Sequence, residues 1–175
     1  ANDQTFAGIM IQHPLPKYID EQKCFNLIPP EKDVDGLSAT SFGLIAQSRQ
    51  LFAPATALGI MKLFEKYNIN IVGEEVLMIG KSQIVGLPLS VMLMKAGATV
   101  TIAHSRTRDL AGMIKKFKIV IVATKRNFFI ICILNILGIV IVICFYRLAI
   151  LNFVHLSAWR TMYVPGIRVI FRLSV

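Results

Sequence analysis

The sequence predicts an α/β protein that contains half of a doubly wound parallel sheet. The main observation is an alternation of strands and helices over residues 70–124, in which the strands are almost continuously apolar, as in a sheet covered on both faces. A glycine-containing turn directly after the first of these strands is the second observation, because such sheets bind ligands there. The third observation is compositional: all 10 Asp and Glu residues lie at or before Asp109, so the end of the chain differs in character from the α/β segment.

A strand and a rigid loop are predicted near the start of the chain. The apolar run FAGIMI at residues 6–11 has the length of a strand, and the prolines of QHPLPKY predict a loop over residues 12–17. Gln12 stands where the strand meets the loop, which is a common position for site residues. The alternative interpretation is that Gln12 is a polar side chain that caps the loop.

Short helices and an acidic turn follow. Helices are predicted to start after the capping residue Asp20, at Ser38 or Ser41, and at Thr56. Between the first two helices, Asp33 and Asp35 flank one valine and precede a glycine. In an extended segment their side chains would point the same way, which suits a ligand site. Paired aspartates before glycine are also typical turn formers, so both interpretations stay open.

The predicted sheet consists of three strands joined by two helices. The strands are predicted at Val76–Ile79, Thr99–Ala103 and 118–124, and the helices at about Val85–Lys95 and Thr107–Lys116. The turn after the first strand reads GKSQIVG, which lacks the full GxGxxG pattern. Gly80 still permits a tight turn, and helix N-terminal amides that follow such a turn are suited to a phosphate.

The end of the second predicted strand indicates which dinucleotide would bind. An NAD site usually has a carboxylate there, which accepts a hydrogen bond from the ribose 2′-hydroxyl. The sequence reads AHSRTR instead, and the side chains that can gather near a 2′-phosphate are Lys81, Ser105, Arg106 and Arg108. This favours NADP over NAD. The alternative is that the arginines start a solvated helix and that His104 is a hydrogen-bonded strand-end residue.

Charge and cysteine content exclude several classes. Residues 1–124 carry 13 Lys and Arg against 10 Asp and Glu, without the basic, aromatic cluster that nucleic-acid binding needs. The cysteines, Cys24, Cys132 and Cys144, are odd in number and lack CxxC or His/Cys spacing, which predicts neither a disulfide framework nor a metal site. No basic, apolar leader opens the chain, so we expect a cytoplasmic location or an organelle matrix.

Five motifs occur in a defined order: GIMIQHPLP (8–16), PEKDVDGL (30–37), PATALG (54–59), GKSQIVGLP (80–88) and ATVTIAHSRT (98–107). Together they resemble the bifunctional methylenetetrahydrofolate dehydrogenase/methenyltetrahydrofolate cyclohydrolase family, from about residue 3 to Thr124. The resemblance implies that residues 1–55 are the C-terminal part of the catalytic domain. It implies that residues 56–124 are a partial Rossmann-like NAD(P)-binding domain.

The resemblance also implies an activity in one-carbon metabolism. Family members use NADP to oxidise 5,10-methylenetetrahydrofolate to the methenyl form, and then hydrolyse it to 10-formyltetrahydrofolate, with the folate in a cleft between the domains. The intact enzyme is expected to be a soluble homodimer that is both oxidoreductase and hydrolase and supplies purine biosynthesis.

Six site residues are assigned by the resemblance. Gln12 corresponds to the glutamine that hydrogen-bonds and tunes the catalytic lysine, and Asp35 to the aspartate that binds the pterin ring. The cofactor is expected to be held by Gly80, Lys81, Ser82 and Ser105. Lys81 stands where many relatives have arginine, so the bidentate fork is lost and the grip on a 2′-phosphate is expected to be looser.

Two family motifs do not occur in the 175 residues. One is the Tyr-xxx-Lys motif that carries the catalytic lysine, and the other is the glycine-rich loop expected after Thr124. We therefore expect this chain by itself to have no cyclohydrolase activity and little or no dehydrogenase activity. The alternative function is a non-catalytic truncated product that at most binds nucleotide. Another NADP-dependent reductase built on the same half-sheet is the third hypothesis.

Residues 125–175 are predicted to be a basic, apolar tail foreign to the family. They carry 6 Lys and Arg and no acid, and residues 128–146 form an uncharged run. A run of about 20 apolar residues is long enough to cross a bilayer, so membrane association is conceivable through this segment alone. The abrupt change of composition favours a frameshift or read-through origin instead, because that origin also accounts for the missing motifs.

Overall fold

The computed structural model describes residues 5–124 and, beyond them, the backbone of three strands at 139–142, 159–164 and 167–172. The chain divides into two compact units. The first unit comprises Ala1–Ile69 and Gln83–Lys95, and the second comprises Asn70–Ser82 and Ala96–Val175.

The first unit contains four helices in its described part: α1 (Glu21–Asn26), α2 (Ala39–Ala46), α3 (Ala55–Lys66) and α4 (Gly86–Lys95). The predicted caps of the first two helices are confirmed. The Asp20 side chain accepts a hydrogen bond from the Lys23 backbone N–H at 3.1 Å. The Ser38 hydroxyl accepts from the Ser41 N–H at 3.1 Å, so α2 starts after Ser38 and not at Ser41.

The prediction of a strand at residues 6–11 is wrong. Only one isolated parallel bridge forms there, between Ile9 and Asp33, with the Ile9 N–H donating to the Lys32 carbonyl oxygen at 2.7 Å. Phe6 and Met10 are 62% and 55% exposed, so the segment has no buried face that would specify a longer strand pairing.

The core of the first unit lies where α2 and α3 pack against α4. Apolar side chains from all three helices are buried almost completely, among them Ile45, Ile60, Leu89 and Leu93. Ile60 belongs to the apolar stripe that predicted α3, and Leu89 and Leu93 lie one helical turn apart on α4. Burial of this apolar surface is the main free-energy contribution that holds the three helices together.

The second unit is built on a parallel sheet, which confirms the predicted α/β class. Its first strands are β1 (Glu75–Ile79), β2 (Thr99–Ala103) and β3 (Ile119–Val122), and α5 (Leu110–Lys116) lies between β2 and β3 in the chain. β1 pairs in parallel with both β2 and β3, so the strand order is β2-β1-β3. The chain therefore reverses its direction of travel across the sheet at β1, and the carboxyl ends of β1 and β3 mark a topological switch point.

Three further strands come from residues beyond Thr124. β4 (Ile139–Val142) is parallel to β3, β6 (Ile167–Arg172) is parallel to β4, and β5 (Trp159–Val164) is antiparallel to β6. β4 falls inside the apolar run 128–146, whose other residues lie outside the described part of the chain. Among the described residues, no helix has the length and apolar character that crossing a bilayer requires.

Both faces of the central strands are buried. On one face, residues of β1, β2 and β3 form a cluster with Ile114 of α5; its strand members are Leu77, Ile79, Ala103, Val120 and Val122. The alternate positions Val76, Met78 and Ile121 are also buried completely. Since successive side chains of a strand point to opposite faces, this explains why β1 and β3 are apolar without interruption.

Candidate functional site

The candidate cofactor site of the second unit begins at Gly80, directly after β1. The Gly80 N–H donates to the Ala103 carbonyl oxygen, and the Ala123 N–H donates to the Ile79 carbonyl oxygen, both at 2.8 Å. Gly80 has a φ of +122°, and a Cβ at this position would lie 2.4 Å from the Ala123 oxygen. Only glycine fits this backbone, so the end of β1 is held tightly between the ends of β2 and β3.

Lys81 and Ser82 follow this tight point and are both exposed. The pairing of Ile79 with Ala103 places Lys81 and Ser105 each two residues beyond paired positions of neighbouring strands. Neighbouring strands lie about 4.8 Å apart, so the two segments leave the sheet side by side. The edge of the sheet formed by the carboxyl ends of its strands thus presents the Lys81 ammonium group and the Ser82 and Ser105 hydroxyl groups. These groups are suitable donors for phosphate oxygens.

The segment after β2 is a hydrogen-bonded turn over residues 104–107. The His104 N–H donates to the Thr107 hydroxyl at 2.8 Å, and the Thr107 N–H donates to the His104 carbonyl oxygen at 2.9 Å. The His104 Nδ1 accepts from the Arg106 N–H at 3.2 Å. His104 is thus a hydrogen-bonded residue at the end of a strand, as the alternative interpretation of this segment expected.

The arginines do not start the helix as the alternative prediction had it. α5 begins at Leu110, three residues later than predicted, because Asp109 adopts a left-handed backbone (φ 48°) and caps the helix by accepting from the Gly112 N–H at 3.0 Å. Ser105, Arg106 and Arg108 are all exposed in the segment before the helix. They are therefore placed where a ligand at the end of β2 could contact them.

In the first unit, the two aspartates have different surroundings. Asp33 is only 2% exposed, and its carboxylate accepts from the Ser38 N–H at 2.9 Å and the Ser41 hydroxyl at 2.7 Å. Asp35 is partly buried, and burial together with the charge of Asp33 raises the pKa of its carboxyl group. Within the described residues, the Asp35 carboxyl has no hydrogen-bond or ion-pair partner. Asp33 is the turn former of the pair, and Asp35 is the carboxyl group that has no partner among the described residues.

Gln12 lies on the exposed loop before α1. Its side-chain Nε2 donates to the neighbouring His13 carbonyl oxygen at 3.3 Å, a local contact of the kind expected for a loop cap. Glu21, which the sequence did not single out, holds this loop. Its two carboxylate oxygens contact the Leu15 N–H and, at 3.0 Å, the His13 Nδ1. Only the position of Glu21 after a capping residue was visible in the sequence, so this tie between loop and helix could not be predicted.

The described residues fit a dinucleotide at the edge of the second unit. Gly80 provides the tight turn, and the exposed side chains at that edge carry hydroxyl and cationic groups without a carboxylate between His104 and Arg108. Within residues 5–124 and the three later strands, no group of three His, Cys, Asp or Glu side chains could hold a metal ion. Fold and site together define a nucleotide-binding unit of the doubly wound α/β class.

Two family models match the chain. The tetrahydrofolate dehydrogenase/cyclohydrolase NAD(P)-binding domain matches residues 54–142, and the catalytic domain of the same enzymes matches residues 1–35. The chain belongs to the tetrahydrofolate dehydrogenase/cyclohydrolase family. The match to the NAD(P)-binding domain continues past Thr124, where the sequence resemblance ends, as far as the end of β4. The division into residues 1–55, 56–124 and 125–175 stays a prediction.

The FolD relatives are more than twice as long as the region that matches this chain. The bifunctional protein FolD of Cellvibrio japonicus is 48% identical over 123 residues, which are 70% of this chain and 44% of that protein. FolD of Burkholderia lata is 48% identical over 126 residues, again 44% of its length. The chain therefore spans less than half the length of these relatives.

Solved structures of the family have the same fold. The bifunctional FolD enzyme of Campylobacter jejuni superposes with a TM-score of 0.74 at 34% identity, over 85% of this chain and 53% of that chain. The Trypanosoma brucei methylenetetrahydrofolate dehydrogenase-cyclohydrolase, solved with NADP cofactor and an inhibitor, gives a TM-score of 0.70 at 29% identity. This second superposition covers 80% of this chain and 49% of the trypanosomal chain.

Proposed function

We propose that this chain is part of an NADP-dependent 5,10-methylenetetrahydrofolate dehydrogenase and 5,10-methenyltetrahydrofolate cyclohydrolase of one-carbon metabolism, and that its second unit binds the cofactor. The observation that carries the proposal is the meeting of the Gly80 turn with the His104–Thr107 turn beside the switch point of the sheet. The trypanosomal relative solved with NADP supports the choice of cofactor.

The exposed groups of the cofactor site have two tasks in this proposal. The Lys81 ammonium and the Arg106 guanidinium contribute positive charge for the 2′-phosphate, and Ser82 and Ser105 contribute hydroxyl donors. When bound, the nicotinamide ring supplies the hydride acceptor. No carboxylate stands in the turn after β2 to repel the 2′-phosphate, so NADP is expected to bind more tightly than NAD.

The first unit is proposed to contribute substrate contacts. Asp35 would accept hydrogen bonds from the amino and ring N–H groups of a pterin, which a carboxyl group without a partner in the described part of the chain can do. Gln12 would orient the lysine on which the proton chemistry of the family depends. We further propose that the whole enzyme is a cytoplasmic or organelle-matrix homodimer that supplies purine biosynthesis.

The cofactor part of the proposal is tested by titrating the full 175-residue chain with NADP and NAD in isothermal calorimetry. We expect NADP to bind at least about tenfold more tightly than NAD, which corresponds to about 1.4 kcal/mol from the 2′-phosphate contacts. Lys81→Ala is expected to remove most of this preference. Lys115→Ala, which removes another exposed lysine of the same unit, serves as the matched control and should leave both affinities unchanged.

Two results would contradict the proposal. A chain that is folded by circular dichroism and binds neither dinucleotide has no cofactor site in its second unit. Equal affinities for NADP and NAD, unaffected by Lys81→Ala, would show that no group at this edge recognises the 2′-phosphate. If NADP binds but methylenetetrahydrofolate is not oxidised, the chain is the non-catalytic nucleotide-binding product.

A further inference from the structure

The turn over residues 104–107 has its own side chains folded onto its backbone. Thr107 accepts the His104 N–H through its hydroxyl, and His104 accepts the Arg106 N–H through Nδ1, at 2.8 and 3.2 Å. The Thr107 N–H closes the turn on the His104 carbonyl oxygen at 2.9 Å. Both partly buried side chains thus face inward, and the two residues between them, Ser105 and Arg106, remain exposed.

We propose that His104 and Thr107 are positioning residues that hold the Ser105–Arg106 turn in the conformation that discriminates NADP from NAD. The proposal rests on the proposed function, because it specifies how the cofactor edge of the second unit is kept in shape. Neither residue needs to touch the dinucleotide. Their effect would be transmitted by the backbone, since a hydroxyl and a guanidinium recognise a phosphate only when their Cα positions are fixed.

The hydrogen bond to Nδ1 restricts what His104 can do. Because Nδ1 accepts the Arg106 N–H, it carries the lone pair, and in the neutral ring the proton is on Nε2. An acceptor two residues before the donated N–H is the geometry of an Asx turn, in which asparagine and aspartate supply the oxygen. His104 therefore acts as a local backbone acceptor, and asparagine at the same position can supply an equivalent acceptor.

The turn is attached to the sheet at its first residue. Ala103 is the last residue of β2, and its carbonyl oxygen accepts the Gly80 N–H at 2.8 Å. On the other side, α5 has an independent cap, because Asp109 accepts from Gly112. Breaking the side-chain contacts of the turn leaves both anchors in place, so Ser105 and Arg106 are expected to move while the fold of the unit persists.

Four variants of the full chain test this inference. Thr107→Val removes the hydroxyl at nearly constant volume, and His104→Ala removes the ring acceptor. Thr107→Ser and His104→Asn are the conservative counterparts that keep an acceptor. The dissociation constants for NADP and NAD are measured for each variant, and circular dichroism with a urea titration reports whether it is folded.

The expected outcome is a loss of selectivity that the conservative variants restore. Thr107→Val and His104→Ala should weaken NADP binding about tenfold, the scale of one lost charge-assisted contact, and NAD binding less than about threefold. Thr107→Ser and His104→Asn should stay within about threefold of the wild-type NADP affinity. A purely structural role would lower both affinities together.

Different experimental results overturn this inference and the proposed function. If the wild-type chain binds neither dinucleotide, the proposed function fails. If the wild-type chain prefers NADP and both Thr107→Val and His104→Ala keep that preference, the positioning role is overturned while the cofactor site stands. Parallel losses for NADP and NAD, or no restoration by serine and asparagine, also overturn the positioning role.

Discussion

Replacing Asp33 by alanine is expected to lower the free energy of unfolding by about 3 kcal/mol. The Asp33 carboxylate is 2% exposed and accepts hydrogen bonds from the Ser38 N–H at 2.9 Å and the Ser41 hydroxyl at 2.7 Å, both buried. Hydrogen bonds to a charged group contribute about 1.5 kcal/mol each at the lower end of the measured range. A third contact, from the Leu37 N–H at 3.3 Å, is long and adds little.

Asp35→Asn is the matched control for this prediction. Burial and the charge of Asp33 raise the pKa of the Asp35 carboxyl group in the folded chain. An acid with a raised folded-state pKa binds more protons when folded, so its ionisation reduces stability as the pH rises through that pKa. The asparagine variant should therefore be slightly more stable than wild type at neutral pH, and the difference should vanish below the ordinary aspartate pKa.

Urea unfolding of the full chain, followed by far-ultraviolet circular dichroism at neutral pH, measures both effects. Asp33→Ala should shift the midpoint to markedly lower urea, and Asp35→Asn should shift it slightly upward. The assignment of Asp33 as the buried anchor is refuted if its alanine variant keeps the wild-type midpoint. An equally large loss for Asp35→Asn would refute the distinction between the two carboxylates.

Gly80→Ala should cost about 3 kcal/mol or more and abolish NADP binding, because alanine is strained at a φ of +122° and its Cβ would meet a carbonyl oxygen; retained binding in calorimetry would contradict this. Gly59→Ala, in α3 with no atom within 4 Å of the added Cβ apart from its chain neighbours and the nearby backbone of its own helix, should instead stabilise the chain in urea by about 0.5–1 kcal/mol. Leu77→Ala should cost about 3 kcal/mol in the same titration, since the side chain is fully buried; a loss below about 1 kcal/mol would be incompatible with the described core. Glu21→Ala should cost about 1 kcal/mol and speed proteolysis near Leu15, whose N–H loses its acceptor; an unchanged cleavage rate would argue against that tie.

Elements with a local cause could be predicted closely. The strand predicted at Thr99–Ala103 has the observed limits, and α1 starts after the capping residue Asp20 as expected. Both depend on residues within a few positions of each other. The strand is an apolar run that follows Gly97. The helix begins where the Asp20 side-chain oxygen lies beside the first free backbone N–H groups. The start of α5 was missed because the left-handed backbone of Asp109 has no signal in the apolar spacing.

Some of the candidate site residues could likewise be predicted from local sequence, and others could not. The exposed edge formed by Gly80, Lys81, Ser82 and Ser105 follows from their places at strand ends, which a parallel sheet brings together. The roles of Asp33 and Asp35 did not follow, because two aspartates on either side of one valine look alike in the sequence. Burial and the contacts with Ser38 and Ser41 distinguish them.

The sequence by itself determined the α/β class, the three strands around residues 75–122, the tight turn at Gly80 and the resemblance to a folate enzyme family. Tertiary structure decided that β1 lies between β2 and β3 and that β4 continues the sheet beside β3. β1 and β3 have the same uninterrupted apolar pattern. Such a pattern indicates that a strand is buried, but it does not determine which strands lie beside it. Only the packing of the whole sheet selects the strand order, and with it the edge where a dinucleotide can bind.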